Sequence, residues 1–254
     1  MAPRRRTAAA RGVHFLRHRG VIPVPLLEPS MRNETAFLFD LDGTLVDSVY
    51  QHVLAWKQAL DADGIELSVW RIHRRIGMSG GLFVNQLLRE THEAISPERI
   101  ARLQKLHADA YRHHAAQVRP LPGARALLDA LTAAQVPWAI ATSGRIATAS
   151  VNLQALGVDP AVTTVVTRDE VRHAKPDPDL FVAAASRLNV PIERCLVVGD
   201  SVWDMLAAQR CRALGIGLQS GGYGTEELER AGALRVYEDP ADLLGHLDEV
   251  CARE

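Results

Sequence analysis

From Thr35 onward the sequence alternates between short apolar runs and segments with helical periodicity. This alternation is typical of a parallel sheet whose strands are joined by crossover helices. Six segments have the composition of strands, at 36–41, 136–142, 162–167, 195–200, 213–218 and 234–237. Helical patterns separate them, at 123–134, 146–156, 179–188, 202–211 and 225–231. The sequence therefore predicts an α/β fold with a Rossmann-like, doubly wound parallel sheet.

Residues 49–117 interrupt this alternation. They contain only helix-period stretches, at 49–61, 69–76, 82–90 and 97–117, separated by turn residues. We expect an all-helical cap domain of residues 49–117 inserted into a core domain of 34–48 and 118–254. An insertion after the first strand would lie over the sheet edge where open α/β sheets bind their ligands.

The first 33 residues differ from the rest in charge. Residues 1–30 hold six of the 29 basic residues of the chain but one of its 30 acidic residues. We expect a disordered basic extension, or a segment upstream of a functional start at Met31, with an organelle transit peptide as the alternative.

The remainder of the chain is mildly acidic, so it offers no basic stripe for a nucleic-acid backbone. No apolar run approaches the ~18 residues of a membrane span. The three cysteines, Cys195, Cys211 and Cys251, are far apart, which favours buried thiols in a reducing cytoplasm. We expect a cytoplasmic monomer or homodimer that binds neither nucleic acid nor membranes.

The first predicted strand ends in two carboxylates, Asp40 and Asp42, followed by Gly43. Spacing of i, i+2 directs both side chains toward one face, and hence into one cleft. Two carboxylates held together repel each other unless a cation or a proton lies between them. This pair therefore predicts a hard metal such as Mg²⁺, one ionised nucleophile and one proton carrier.

A second acidic cluster follows the predicted strand at 195–200. This strand also ends in Gly-Asp, and Asp204 lies four residues after Asp200. Asp200 alone could be a helix N-cap. Because the ends of parallel strands converge at one edge, we expect Asp200 and Asp204 to join the first pair as oxygen ligands of Mg²⁺.

Two further segments suit a phosphate group. The predicted strand at 136–142 ends in Thr142 and Ser143, which offer hydroxyls and backbone N–H groups at the start of a helix. Lys175 is flanked by prolines in His-Ala-Lys-Pro-Asp-Pro, which restrict its placement and favour a phosphate clamp over a surface charge.

Taken in order, these four segments resemble the haloacid dehalogenase superfamily, in particular its phosphatases with a small helical cap. The resemblance covers residues 34–240, and the joint order of the motifs is far more specific than any one of them. It implies that Asp40 is the nucleophile and forms an aspartyl-phosphate, and that Asp42 is the general acid and base. Thr142 and Lys175 would hold the phosphoryl oxygens.

The resemblance also implies a ligand set for Mg²⁺. It comprises Asp40, the backbone carbonyl of Asp42, and Asp200, with Asp204 as a further ligand or a neighbour of the site. These roles agree with the chemistry, because phosphoryl transfer needs an ionised nucleophile and neutralised equatorial oxygens.

Other branches of the superfamily fit less well. Halide release needs no proton, so Asp42 favours a phosphatase over a dehalogenase. A Schiff-base phosphonate hydrolase would need a cap lysine, and the cap segment has only Lys57 and Lys105, both in helical patterns that face solvent. A protein that only binds would be expected to have lost one of the acids, and all of them are present.

A sugar-phosphate mutase of the β-phosphoglucomutase type is the main alternative. His52 and Trp56 match the opening of such enzymes, but they occur in many phosphatases too. Mutases tend to carry a cap arginine for a second phosphate, and this loop has Gly77, Gly80 and Gly81. We therefore expect a small monophosphate, of the phosphoglycolate or the sugar or polyol phosphate type. Its nearest polar contacts in the cap would be His52, Arg75 and Ser79.

Overall fold

The computed structural model describes residues 35–90 and 96–251, with the side chain of Cys251 left out. The predictions for residues 1–33 lie outside the described residues. Within the described ranges no helix is long and apolar enough to cross a membrane.

A six-stranded parallel sheet forms the centre of the structure. Its strands are β1 (Ala36–Phe39), β4 (Trp138–Ala141), β5 (Val165–Val166), β6 (Cys195–Gly199), β7 (Leu214–Leu218) and β8 (Ala233–Tyr237). Their order is β5-β4-β1-β6-β7-β8, so the strand order reverses beside β1. The predicted doubly wound fold is confirmed, and the reversal places the ends of β1, β4 and β6 side by side, where such sheets bind ligands.

Helices cover both faces of this sheet. They are α5 (Ala124–Ala133), α6 (Ile146–Leu156), α7 (Asp179–Leu188), α8 (Val202–Cys211), α9 (Thr225–Arg230), α10 (Pro240–Gly245) and α11 (Leu247–Cys251). Alternate residues of β1 belong to different cores: Phe37 and Phe39 pack on one face, whereas Ala36 and Leu38 pack on the other. A strand buried on both faces requires the uninterrupted apolar sequence seen there.

In the described part of residues 49–117, four α-helices follow one another: α1 (Val49–Ala62), α2 (Val69–His73), α3 (Gly80–Glu90) and α4 (Pro97–His114). They enclose a separate apolar cluster that includes Val53, Leu60, Phe83 and Leu103. The two ends of this segment are joined by a short antiparallel ribbon, β2 (Val46–Asp47) with β3 (Arg119–Pro120). The segment thus has its own core and two adjacent connections, although its division from the sheet as a domain stays a prediction.

Several predicted boundaries were wrong for local reasons. The strand predicted at 162–167 spans only β5, because Val162 and Thr163 turn back onto Asp159 and Val162 is exposed. The helix predicted at 69–76 ends at His73, and the one at 97–117 ends at His114 and continues as a single 3₁₀ turn. The helices α10 and α11 were not predicted.

Candidate active site

The carboxyl ends of β1, β4 and β6 bring the predicted site residues together. Three carboxylates, those of Asp40, Asp200 and Asp204, each offer an oxygen within 4.8 Å of the others, and all three are buried. Burial raises the pKa of Asp200 well above its usual range, and the charges of Asp204 and Asp40 raise it further. Burial also raises the pKa of Asp40, to about 7. Such crowding of negative charge is what a bound cation relieves.

Lys175 supplies the positive charge of this cluster. Its side chain is fully buried, and its ammonium group contacts Asp40 and lies 2.8 Å from Asp204 Oδ1. Burial alone would lower the pKa of Lys175, but the charges of Asp204 and Asp40 raise it above its usual range. Lys175 is therefore protonated and holds the Asp40 carboxylate in place.

Asp204 has a second role in the first turn of α8. Its Oδ2 accepts hydrogen bonds from the backbone N–H of Ser201, at 3.2 Å, and from the Ser201 hydroxyl, at 2.5 Å. Ser201 is the N-cap of α8, so the alternative in which Asp200 caps this helix was wrong. Asp200 lies before the helix, and its side chain points into the carboxylate cluster instead.

Two glycines leave the space that Asp200 occupies. A Cβ on Gly43 would lie 2.4 Å from Asp200 Oδ2, and a Cβ on Gly221 would lie 1.8 Å from it. Gly43 also has a φ of +88°, which favours glycine for a second reason. On the other side, Thr44 Oγ1 donates a hydrogen bond to Asp200 Oδ1 at 3.0 Å. The carboxylate is thus fixed by close backbone packing and one hydroxyl.

Asp42 faces the same pocket as Asp40 but has a different environment. Its Oδ1 accepts hydrogen bonds from Ser48 Oγ at 2.7 Å and from Asn152 Nδ2 at 2.5 Å, and lies 3.2 Å from His52 Nε2. Burial raises the pKa of Asp42, but His52 and these donors outweigh burial, so the pKa is lowered overall. The two carboxyls therefore have pKa values shifted in opposite directions, because hydrogen-bond donors surround Asp42 whereas Asp40 is buried beside other carboxylates.

A pocket of about 180 Å³ opens above these carboxyls. The core side contributes Thr142 and Ser143, and the helical segment contributes Trp56, Phe83 and His107 among others. The Ser143 hydroxyl is buried and has no hydrogen-bond partner among the described residues. A buried donor of this kind, beside two carboxyls and the start of α6, suits an anionic ligand with several oxygens.

The three predicted cap contacts differ in position. His52 and Arg75 line the pocket, whereas Ser79 does not. The Ser79 hydroxyl instead accepts a hydrogen bond from the backbone of Leu82, at 3.4 Å, in the first turn of α3. The Arg75 guanidinium contacts Glu90, so its charge is already neutralised.

Sequence reasoning missed several polar residues around Asp42 and the pocket, among them Gln104, His107, Tyr111, Asn152 and Arg168. Gln104 and His107 belong to a long, mostly polar helix, where nothing in the pattern separates them from surface residues. Asn152 carried a usable signal, because it shares the buried face of α6 with Ala149, Leu153 and Leu156, whereas the other amide of this helix, Gln154, is exposed.

Comparison with known proteins gives a consistent result. The sequence profile of the haloacid dehalogenase-like hydrolases matches residues 34–212. Hexitol phosphatase A of Escherichia coli K12 is 32% identical over 184 residues, which cover 71% of this chain and 82% of that protein. The phosphoglycolate phosphatase of Rhodospirillum rubrum is 32% identical over 214 residues, covering 82% and 88%. The crystal structure of a hydrolase from Pseudomonas syringae, 59% identical, superposes with a TM-score of 0.85 over 86% of this chain and all of that one.

Proposed function

The chain belongs to the haloacid dehalogenase-like hydrolase family, and on this basis we propose that it removes phosphate from a small phosphorylated metabolite through an aspartyl-phosphate on Asp40. It is a phosphoric monoester hydrolase, as are the curated relatives named above. The observation that carries the proposal is the position of Asp40. Its carboxylate lies on the floor of the pocket, in contact with Lys175 and beside the separately held Asp42.

In this reaction, each of the site's side chains would have a defined role. Asp40 attacks phosphorus, so that an Asp40 O–P bond forms while the bond from phosphorus to the substrate oxygen breaks. Asp42 gives a proton to the departing alcohol and then takes one from the water that hydrolyses the acyl phosphate. Thr142 and Ser143, which line the pocket, would bind the phosphoryl oxygens together with Lys175, which would also orient Asp40.

We propose Mg²⁺ as the cofactor. The three clustered carboxylates are the hard oxygen donors that this ion prefers, and a single lysine leaves their charge incompletely balanced. Asp40, Asp200 and the backbone carbonyl of Asp42 would hold the ion, with Asp204 beside them. Bound there, the ion would neutralise charge on the transferring phosphoryl group.

The helical segment 49–117 would act as the cap domain of this enzyme. Its two connections pair in the β2–β3 ribbon, and its residues form one wall of the pocket above Asp40 and Asp42. This arrangement supports a role as a lid that excludes water from the acyl phosphate while the alcohol is still bound.

The pocket favours a small monophosphate. Its volume is modest, and the guanidinium of Arg75, on its cap side, is occupied by Glu90. Gln104, His107 and the Trp56 ring also line that wall, and these neutral groups suit hydroxyls of a sugar or polyol better than a second phosphate. On the core side, Arg145 and Arg168 line the pocket too, but they are bonded to Asp169 and to backbone carbonyls. The mutase alternative requires a second phosphate site, which is why we rank it below the phosphatase.

The decisive experiment is a substrate panel. Phosphoglycolate and a series of sugar and polyol monophosphates would be assayed for phosphate release with Mg²⁺, next to isomerisation of a phosphohexose primed with its bisphosphate. We expect hydrolysis of at least one monophosphate to be faster than any isomerisation. Faster isomerisation would establish the mutase, and no turnover of any phosphate, generic aryl phosphates included, would point to a protein that only binds.

A further inference from the structure

Asn152 is a buried amide in contact with Asp42. It lies on α6 among apolar residues and is fully buried, yet its Nδ2 donates a hydrogen bond to Asp42 Oδ1 at 2.5 Å. Burying an amide costs free energy unless its donors and acceptors are paired. The other end of the amide, its oxygen, must therefore have a partner as well.

That partner is Tyr111, which lies on α4 in the helical segment. Tyr111 is fully buried, and its hydroxyl donates a hydrogen bond to Asn152 Oδ1 at 2.8 Å. Burial raises the pKa of Tyr111, so the phenol keeps its proton and remains a donor. Because an ionised carboxylate can only accept, the NH₂ group of Asn152 faces Asp42, and the Tyr111 hydroxyl then satisfies the amide oxygen on the other side.

Tyr111 also contacts His52, another of the groups that bond Asp42. Its ring stacks on His52 with centroids 3.9 Å apart and planes 7° from parallel. His52 Nε2 lies 3.2 Å from Asp42 Oδ1, and His52 Nδ1 lies 3.1 Å from His107 Nε2. One side chain of α4 thus contacts two of the three groups that lie within hydrogen-bond distance of Asp42 Oδ1.

We propose that Tyr111 is a positioning residue that fixes the Asp42 carboxylate for proton exchange, acting through Asn152 and His52. Neither Tyr111 nor Asn152 lines the pocket, so neither touches a bound substrate directly. These hydrogen bonds join α4 of the helical segment to α6 beside the sheet. The position of the Asp42 carboxylate would therefore depend on how the helical segment packs against the sheet. The inference rests on the proposed role of Asp42 as general acid and base.

The first test is Tyr111→Phe, which removes one oxygen and leaves the stacked ring. Single-turnover release of the leaving group would be measured with an alkyl phosphate and with an aryl phosphate whose phenol is acidic. Loss of a buried hydrogen bond predicts a rate about tenfold lower for the alkyl substrate. The aryl substrate needs little protonation and should slow less than about twofold, with KM unchanged for both. Tyr237→Phe, which loses a phenol bonded to Glu249, is the matched control and should change neither rate.

A double-mutant cycle tests whether Tyr111 acts through Asn152 or whether the two residues affect the rate independently. Asn152→Leu should give the same selective loss, and Tyr111→Phe combined with Asn152→Leu should be little worse than Asn152→Leu alone. Equal losses with alkyl and aryl substrates, or fully additive losses in the cycle, would overturn the proposal in favour of a merely structural role.

Asp42→Asn, measured in the same assays, separates the proposed acid–base role of Asp42 from the proposed positioning role of Tyr111. If Asp42→Asn lowers the rates with the alkyl and the aryl substrate equally, the proposed role of Asp42 is wrong. If Asp42→Asn is selective and Tyr111→Phe is not, the function stands and the positioning role of Tyr111 is wrong.

Discussion

The ammonium group of Lys175 lies 2.8 Å from Asp204 Oδ1, and neither side chain is exposed to solvent. The same ammonium contacts Asp40, so one positive charge serves two carboxylates of a cluster of three. Asp200 has no ammonium partner among the described residues and is held by a threonine hydroxyl. The stability of this cluster should therefore depend on both Lys175 and a bound cation.

Replacing Lys175 by Met should destabilise the metal-free protein. Removing one partner of a buried ion pair leaves an uncompensated charge and costs about 3–5 kcal/mol of unfolding free energy. Urea unfolding in chelator measures this, and excess Mg²⁺ should restore part of the loss. Lys105→Met, at an exposed pair with Asp109, is the control and should have little effect. Equal stability of Lys175→Met and wild type in chelator would contradict this account.

Magnesium should raise both activity and thermal stability. An ion that binds only the folded state adds about 2.7 kcal/mol at 100 times its dissociation constant, so the Tm should rise with Mg²⁺ concentration. Ca²⁺ should support poor turnover, because its looser coordination misplaces the nucleophile. Asp200→Asn should weaken the Mg²⁺-dependent rise in Tm. Undiminished phosphate release in chelator would refute the metal requirement.

Asp40→Asn should abolish turnover while the fold is retained. The amide has nearly the same shape as the carboxylate but does not attack phosphorus, so phosphate release should fall by at least about 10³-fold. Circular dichroism would report the fold. Because the variant also removes a buried carboxyl with a raised pKa, we expect no large loss of stability at neutral pH. Retained activity would exclude the aspartyl-phosphate.

Gly221→Ala should impair metal binding through steric contact alone. Its added Cβ would lie 1.8 Å from Asp200 Oδ2, and Gly221 does not have a positive φ, so backbone strain makes no contribution. Titration of Tm with Mg²⁺ should show weaker affinity, and kcat should fall. Gly245→Ala adds a Cβ with no atom within 4 Å and should behave as wild type. Normal metal affinity in Gly221→Ala would show that Asp200 does not bind the ion.

Gly80→Arg should add a charge to the pocket without disturbing it. A Cβ at Gly80 would meet the Trp56 ring at 3.4 Å, an ordinary contact, and the added guanidinium would face a wall whose own arginine, Arg75, is paired with Glu90. We expect slower hydrolysis of small monophosphates and stronger inhibition by a bisphosphate, measured as an inhibition constant. Unchanged inhibition would mean that this loop does not contact the part of the substrate beyond its phosphate.

The sequence alone was informative about the fold and the floor of the site. An apolar strand that ends in acids can be recognised locally, because burial on both faces demands an unbroken apolar run and the charges must lie outside it. Asp40, Asp42 and Asp200 could be assigned to one edge for this reason. Thr142 was assigned from a strand end at the start of a helix, and Lys175 from its neighbouring prolines. The parallel topology then brings their strand ends together.

The environment of each side chain was decided only by the tertiary structure. Ser79 had the residue type of a substrate contact, but its hydroxyl accepts a hydrogen bond at the start of α3 and does not line the pocket. Arg75 does line the pocket, with its guanidinium in contact with Glu90. Likewise, Tyr111 and Asn152 are 41 residues apart in the chain and meet only when α4 packs against the sheet domain. An amino-acid sequence shows which chemical groups are present, and its hydrophobic periodicity indicates which of them face the core. Which groups pair, and which remain free for a ligand, depends on distances between distant segments that only packing sets.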